Sequence, residues 1–521
     1  MGLERIIYFV DNYPCLGGAA NTLLRQAVLM KHAGKSVCAV VSRYNAEKAC
    51  EDYFNICSAE DIPVYELSFS VTSQPEGVDI FSVLENYEEV ETFIREQTPD
   101  IVHSVQLNPT VELACRTLDI PHVMDIYQAL PEFFSLGYFD IFPHYHICDS
   151  QFYADFWSRY LGTKSYCIRT VAKAEKRRDI GEIDIKNIRF ICVGQFCERK
   201  NQIEVIKAFH MAVKEGIKGR LSFWGHAQQF YADECARYVT DNGLQDHIEI
   251  KGFSNHMDEV YQDSDALICA SKSESYPNVI SEALAHRIVV ISTPVAGVPE
   301  IIADGENGYL CGGYKAQDIK EKILSYADDI RTGKIKRILD NVDSTYEKVH
   351  SPNAVRRELE GTYNKIISEY DPKSASTFGI SDLRDKFLDF IDCFTKNEDQ
   401  FGDSSFVKNN LWKIYFVISS LQKQAPEQKK CYIWGTGTFG MIYREILNVF
   451  APDFEIAGFI DSFHTGDYLG YRIVKPGEVL SESANAFILI GVLNDSTIIS
   501  ELESHGYRCN VDYFEFQKKP W

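Results

Sequence analysis

The sequence predicts an α/β protein: two parallel-sheet domains facing a cleft, a helical connector, and a third, smaller α/β domain. Three observations carry this. Short β-rich runs alternate with amphipathic helical patterns three separate times along the chain. Its 521 residues exceed what a single hydrophobic core usually holds. The apolar share of 45% and the charged share of 25% are those of an ordinary globular chain.

The first series opens with RIIYFV, residues 5–10, as a strand. After the turn DNYPCLGG comes a helix whose apolar positions Ala20, Leu23, Leu24, Ala27 and Val28 recur at three- and four-residue spacing, and Gly34 ends it. Further strands are expected at 37–41, 101–105 and 122–126, within a first domain spanning 1–168. The segment RTVAKAEKRRDIGE, 169–182, is charged and poorly periodic, as an interdomain connection should be. A second series begins with IRFICVG at Ile188 and runs through RLSFWG, HIEIKGF, ALICAS and IVVIS. A helix over 353–370 closes it, giving a second domain at 169–371, followed by a helical connector at 372–428. The third series, 429–521, starts with CYIWGTGTFG and reaches Asp461 at the end of its next strand.

The balance of 53 basic against 75 acidic side chains, a net charge of -22, argues against nucleic acid as a partner. No apolar run reaches the ~18 residues of a membrane span. The opening MGLERIIYFV lacks the zones of a secretion signal, so a cytoplasmic location is expected, with peripheral membrane contact and oligomerisation through the third domain left open. The 15 cysteines are scattered, none with C-x2-C spacing, and Cys38, Cys192 and Cys269 sit inside apolar strands. They read as buried reduced thiols, not as disulfides or zinc ligands.

Parallel sheets bind ligands beyond the carboxyl ends of their strands. There ALICAS runs into KSESYPNVISEAL, where Pro277 suits a first helical turn and leaves the amides of Asn278 and Val279 unpaired at the positive helix end. Such an end is a ready phosphate site. Glu274 in the loop and Glu282 about one turn inside the helix bracket it, and a carboxylate accepts the vicinal hydroxyl pairs that a nucleotide sugar offers. Alone, two glutamates at this spacing are weak evidence and read more readily as solvated helix residues.

The surrounding text decides between these. Glu274-SYPNVIS-Glu282 resembles the E-x7-E motif of the family-four retaining glycosyltransferases of the GT-B fold. The resemblance continues through EALAHRIVVISTPVAGVPEIIADGENGYL, and upstream through VGQFCERKNQ and KGFSNHMDEVYQDSDALICAS. It spans roughly 188–327 closely and 6–150 more loosely. It implies two Rossmann-like domains and a metal-independent transfer with no cofactor beyond the nucleotide-diphosphate sugar donor. The implied acceptor is a glycan, a protein or a lipid-linked glycan, in bacterial polysaccharide or glycoconjugate biosynthesis.

By the same resemblance Glu282 holds the ribose hydroxyls, Glu274 contacts the transferred sugar, and Lys200 neutralises the diphosphate. Phe253, Tyr276, Pro277, Asn278 and Val279 complete the donor site, with Gly17 and Gly18 as a glycine loop near the phosphate. Gln195 departs from the family, which more often has arginine there, with Arg199 as the available substitute. Tyr127 stands where many relatives have a histidine that touches the donor sugar. His103 matches a family histidine at a strand end, although a purely structural histidine fits equally well. Asp263-Ser264-Asp265 looks like a metal-binding D-x-D motif, but it precedes the strand ALICAS and so belongs to the wrong sheet edge.

Gly435, Gly437 and Gly440, in G-x-G-x-x-G spacing after a strand and with Asp461 beyond, suggest a second nucleotide site. This segment resembles the small amino-terminal domain of sugar acyltransferases in GFIDS, GYRIVKPGEVL and AFILIGV; an inert docking module is the competing reading. For the whole chain the competitors are a nucleotide-sugar 2-epimerase of the same shape, a non-catalytic scaffold suggested by Gln195 and Tyr127, and a dinucleotide-dependent oxidoreductase built on the third domain alone.

Overall fold

The structure is a computed structural model. It describes residues 2–10, 18–43, 51–69, 86–105, 108–127, 143–161, 163–178, 183–226, 229–254, 256–371, 430–437, 440–441, 443–444, 447–448, 455–481, 486–492, 496–508 and 512–515. The expected connector and Gly17 lie outside the described residues.

The first sheet contains β1 (Arg5–Phe9), β2 (Ser36–Ser42), β3 (Val64–Leu67), β4 (Ile101–Val105), β5 (His122–Asp125), β6 (Tyr145–Cys148) and β7 (Lys164–Cys167). All pairings are parallel, in the order β3-β2-β1-β4-β5-β6-β7. Strands β1, β2 and β4 are buried almost throughout, which is why they read as continuous apolar runs. The short strands β3, β6 and β7 carry polar or aromatic residues (VYEL, YHIC, KSYC) and have no such signature. The helix Gly18–His32 buries Ala20, Leu23, Leu24 and Ala27 on this sheet, and Gly34, at φ +80°, makes the left-handed turn that releases the chain into β2.

The second sheet contains β8 (Ile188–Val193), β9 (Gly219–Trp224), β10 (Ile248–Gly252), β11 (Ala266–Cys269), β12 (Val289–Ser292) and β13 (Tyr309–Leu310). It is also parallel, in the order β10-β9-β8-β11-β12-β13. The third contains β14 (Lys430–Trp434), β15 (Ile456–Ile460), β16 (Gly466–Tyr468), β17 (Tyr471–Val474), β18 (Ala486–Ile490) and β19 (Tyr513–Glu515). Its order is β16-β17-β15-β14-β18-β19, with only the β16–β17 hairpin antiparallel.

One helix departs from the expected boundaries. Pro352–Glu369, read from sequence as closing the second domain, returns to the first and buries Val355, Leu359, Tyr363 and Ile366 in the core that holds Ile6, Tyr8 and Leu23. Each such side chain contributes about 1.5–3 kcal/mol by leaving water. Ser351 caps this helix by accepting from the Ala354 amide at 3.3 Å. The second domain is therefore an insertion in the first, entered near residue 170 and left near residue 350. The two crossings lie side by side: Ala172 N donates to His350 O at 3.1 Å, and His350 Nδ1 donates to Thr170 O at 2.9 Å.

The cysteines among the described residues are all free, and all but Cys167 are buried. No helix among the described residues is long and apolar enough to cross a membrane.

Candidate functional site

The loop leaving β11 delivers the helix Asn278–Ala285, which buries Ile280, Ala283 and Leu284 and so fixes its amino end at the sheet edge. Pro277 sits just before the first helical residue, at φ -68° and ψ 118°, and no side chain caps the turn. Among the described residues nothing accepts from the amides of Asn278 and Val279. In the preceding loop Glu274 Oε1 lies 2.5 Å from both Lys200 Nζ and Arg199 NH1, and Arg199 also donates to Ser273 O at 2.9 Å. Two cations thus converge on one acid, and the residues carrying the free amides line the same cleft.

Glycines make this approach possible. Gly194, directly after β8, turns at φ +144°, a backbone conformation that side chains rarely adopt, and lies in ordinary contact with the Lys200 stem. Gly225, at φ +148°, abuts Gly194 so closely that a Cβ would stand 2.1 Å from the Gly194 carbonyl oxygen.

These groups line a cleft of about 470 Å³ between the domains. The first domain contributes Gly18, Thr22, Tyr127, Asp149 and Tyr153; the second contributes Arg199, Lys200 and residues 273–279. The start of the helix Gly18–His32 comes within reach of Asn278, whose Nδ2 is 3.8 Å from where a Gly18 Cβ would be. Polar bonds hold the seam. Glu300 of the second domain accepts from the Gln151 and Phe152 amides at 2.9 and 2.8 Å, capping the helix Gln151–Leu161 of the first, and it also pairs with Arg169. Ser275 Oγ donates to Asp149 Oδ1 and lies 3.3 Å from Ser150 Oγ.

Glu282 lies one turn deeper and is not among the residues lining this cleft. Tyr261 OH donates to its Oε2 at 2.9 Å, and Arg25 of the first domain reaches its Oε1 at 3.3 Å. Tyr261 in turn stacks on His286, with ring centroids 4.9 Å apart.

On the first-domain wall, Tyr127 donates to Asp125 Oδ2. Burial, and after it the Asp125 carboxylate, raises the Tyr127 phenol well above its ordinary value, so it stays a neutral donor. His103 does not reach the cleft. It is fully buried, with Nε2 2.9 Å from Asp125 Oδ1 and Nδ1 2.6 Å from Tyr363 OH, and Tyr363 lies 3.0 Å from Tyr8 OH. Both its nitrogens are engaged, and it backs the cleft wall through Asp125, which accepts from Tyr127. Tyr276 donates to His350 Nε2 at 2.9 Å; burial pushes that imidazole down to about 4, leaving it a neutral acceptor.

Asp149 is the most perturbed acid of the cleft wall. Burial pushes its carboxyl up to about 7, against the lowering effect of the Ser275 hydroxyl and Arg169.

Gln195 is exposed and does not line the cleft; its backbone carbonyl accepts from Gln202 Nε2 at 2.8 Å. Phe253, 59% exposed, also lies outside the cleft lining and stacks flat on His226 at 4.2 Å. Asp265 of the D-x-D stretch pairs with Arg178 and, at 3.1 Å, with Arg189, before β11 begins.

In the third domain Gly435 turns at φ +119°, and a Cβ on Gly440 would stand 2.2 Å from the Gly435 carbonyl, while Gly437 faces open space. Asp461 is already engaged, by the glycine loop and by its own turn: it accepts from Thr436 Oγ1 at 2.6 Å and from the Phe463 and His464 amides at 2.8 and 2.9 Å. Burial alone would raise its carboxyl, but the bonds from Thr436 and His464 prevail and hold it well below the usual carboxylate range.

Asp149, Arg25, Thr22, Tyr153 and His226 escaped the sequence reading. Each acquires meaning only from a neighbour far along the chain, except His226, whose position directly after RLSFWG at a strand end was a usable signal.

Residues 173–336 match the family described as glycosyl transferases group 1. Over 241 residues the chain is 23% identical to a poly(glycerol-phosphate) alpha-glucosyltransferase of Bacillus subtilis, covering 44% of this chain and 33% of that protein. The chain spans about a third to a half of the length of the curated relatives it matches. A glycosyltransferase from Rickettsia africae superposes with a TM-score of 0.58 at 16% identity, over 70% of this chain and 99% of that one. Anabaena HepE in complex with UDP does so with a TM-score of 0.57 at 16% identity, over 69% of this chain and 100% of that one. These likenesses establish the two-domain GT-B fold.

Proposed function

We propose that the chain is a retaining glycosyltransferase of family four, moving a sugar from a nucleotide-diphosphate sugar to a glycan, protein or lipid-linked acceptor in polysaccharide or glycoconjugate biosynthesis. The observation that carries this is the convergence of Lys200, Arg199 and the free Asn278 and Val279 amides on the cleft beside Glu274. That set of donors matches a diphosphate, and Glu274 between them matches a sugar hydroxyl pair. The group 1 domain at 173–336 and the UDP held by HepE support the same donor class.

In this reading the acceptor hydroxyl oxygen bonds to the anomeric carbon on the face the diphosphate leaves. The bond from that carbon to the phosphate oxygen breaks, and the departing phosphate takes the hydroxyl proton. Lys200 and Arg199 stabilise the charge that grows on the leaving group, and the residues of the chain otherwise position the reactants, without a metal. Arg199 supplies the second cation that Gln195 does not. The exposed Phe253–His226 stack offers a flat aromatic face to a nucleobase.

A melting screen against UDP, GDP and ADP and their sugars tests the donor class: the cognate diphosphate raises the melting temperature, because a ligand that binds only the folded chain stabilises it. No shift with any of them counts against the proposal. Incubating the cognate nucleotide sugar without acceptor separates transfer from 2-epimerisation, since slow hydrolysis belongs to the first and an altered donor to the second.

A further inference from the structure

The first domain presents an acid to the cleft that the proposed reaction does not yet use. Asp149 follows β6 at the carboxyl edge of the first sheet, is 5% exposed, and lines the cleft next to Tyr127 and Tyr153. Its Oδ1 is held from the opposite domain by Ser275, the residue directly after Glu274. Among the described residues no side chain other than Ser275 hydrogen-bonds the carboxyl, which is also bonded by the backbone of Asp149 itself. Arg169 donates at 2.8 Å to its backbone carbonyl, and its guanidinium is paired with Glu300, so no cation is bonded to the carboxyl itself. A buried carboxyl that lines a polar cleft and is anchored by one side chain and its own backbone keeps acceptor positions for a ligand hydroxyl.

We propose that Asp149 is the acid with which the first domain reads the transferred sugar, accepting one hydroxyl on Oδ2 while Ser275 holds Oδ1. Glu274 and Asp149 would then grip the same sugar from opposite sides of the seam, and Ser275 ties the two acids into one unit. The inference rests on the nucleotide-sugar reading above and makes Asp149 a specificity-determining residue for it.

The charged and titratable groups facing Asp149 are Arg169, Asp125, Tyr127, Cys148, Cys167 and Tyr276. Burial raises both phenols and both thiols, so they stay neutral near pH 7, and the Arg169 guanidinium is also raised and stays charged. Among these groups Asp149 is the one whose ionisation is brought near neutrality, and Asp149→Asn identifies its share of any pH dependence.

The test measures dissociation constants for UDP, GDP and ADP and for the glucose, galactose and N-acetylglucosamine derivatives of whichever diphosphate binds. In Asp149→Asn the diphosphate is expected to bind as in the wild type, while the cognate nucleotide sugar weakens roughly tenfold, the loss expected when a charge-assisted hydrogen bond becomes a neutral one. Wild-type affinity for the nucleotide sugar should rise with pH through about 7, where Asp149 ionises, and the variant should be flat across that range. Should Asp149→Asn fail to fold, Ser275→Ala supplies the second reading: losing its hydrogen bond to the ionised acid moves the inflection upward. Equal weakening of diphosphate and nucleotide sugar, unchanged sugar binding in Asp149→Asn, or an inflection unmoved in Ser275→Ala overturns the assignment. A wild type that binds none of the three diphosphates removes the donor reading itself, and this inference with it.

Discussion

At the scale of single residues the cleft is a set of charges in close contact, and each has a measurable consequence. Glu274→Ala and Lys200→Ala are each expected to cut turnover about 100-fold, the usual loss when a transition-state contact is removed, with far-UV circular dichroism unchanged. Near-normal turnover in either variant would remove that residue from its role. Asp149 has a second consequence, for stability. Its carboxyl is pushed up to about 7 from an ordinary ~3.9, so the folded chain holds a proton that the unfolded chain releases over the interval between. The stability this contributes is complete below roughly pH 4 and is lost as pH rises through 7. Asparagine never ionises, so the stability of Asp149→Asn relative to wild type should grow from pH 5 to pH 8 by roughly 1 kcal/mol or more, read as melting temperature at each pH. Legibility in the sequence follows chain distance. Glu274, Pro277, Asn278 and Glu282 form one local loop-helix stretch and could be read together, whereas Asp149 and Ser275 stand 126 positions apart and Arg25 and Glu282 stand 257 apart. His103 shows the limit of a local reading: a strand-end histidine reads equally as a ligand contact or a structural group, and its two buried partners, 22 and 260 positions away, appear only in the fold.

At the scale of elements the site depends on close backbone approach. Gly225→Ala places a methyl 2.1 Å from the Gly194 carbonyl in a left-handed conformation, so β8 and β9 must shift and carry the Lys200 loop with them. A loss of about 3 kcal/mol or more is expected in chemical denaturation. Gly297 behaves differently. A Cβ there would meet Ser150 Cβ at 2.4 Å, a clash across the seam, while its φ of -73° suits any residue. Gly297→Ala should therefore leave diphosphate affinity within about threefold and lower kcat by about tenfold, because the two halves of the site no longer meet in register; equal loss of both would point to damage within the second domain. The strands behind these contacts were legible wherever burial on both faces produces an apolar run, as in β2, β8 and β12. They were not legible in β3, β6 and β7, where four-residue strands carry glutamate, tyrosine or lysine and pairing with neighbours, not composition, makes them strands.

At the scale of the whole molecule, helix Pro352–Glu369 decides where the functional unit ends. A chain stopped at residue 350 lacks Val355, Leu359, Tyr363 and Ile366 and leaves the first core open, whereas one stopped at residue 371 keeps that core complete. The longer fragment is expected to melt cooperatively and to bind the diphosphate like the full chain, and the shorter one to aggregate or bind 1-anilinonaphthalene-8-sulfonate; similar behaviour of the two would contradict this packing. The boundary could not be read from sequence because the helix has an ordinary amphipathic pattern and nothing in that pattern says which of two neighbouring cores it joins. Because the polypeptide passes between the first two lobes twice, at adjoining points bonded to each other, two covalent connections tie those lobes together at one place. The same route limits how such proteins can be recombined: grafting a donor lobe from one relative onto another requires two matched cuts, near 170 and near 350, and a single crossover would leave each hybrid with a closing helix made for the wrong partner.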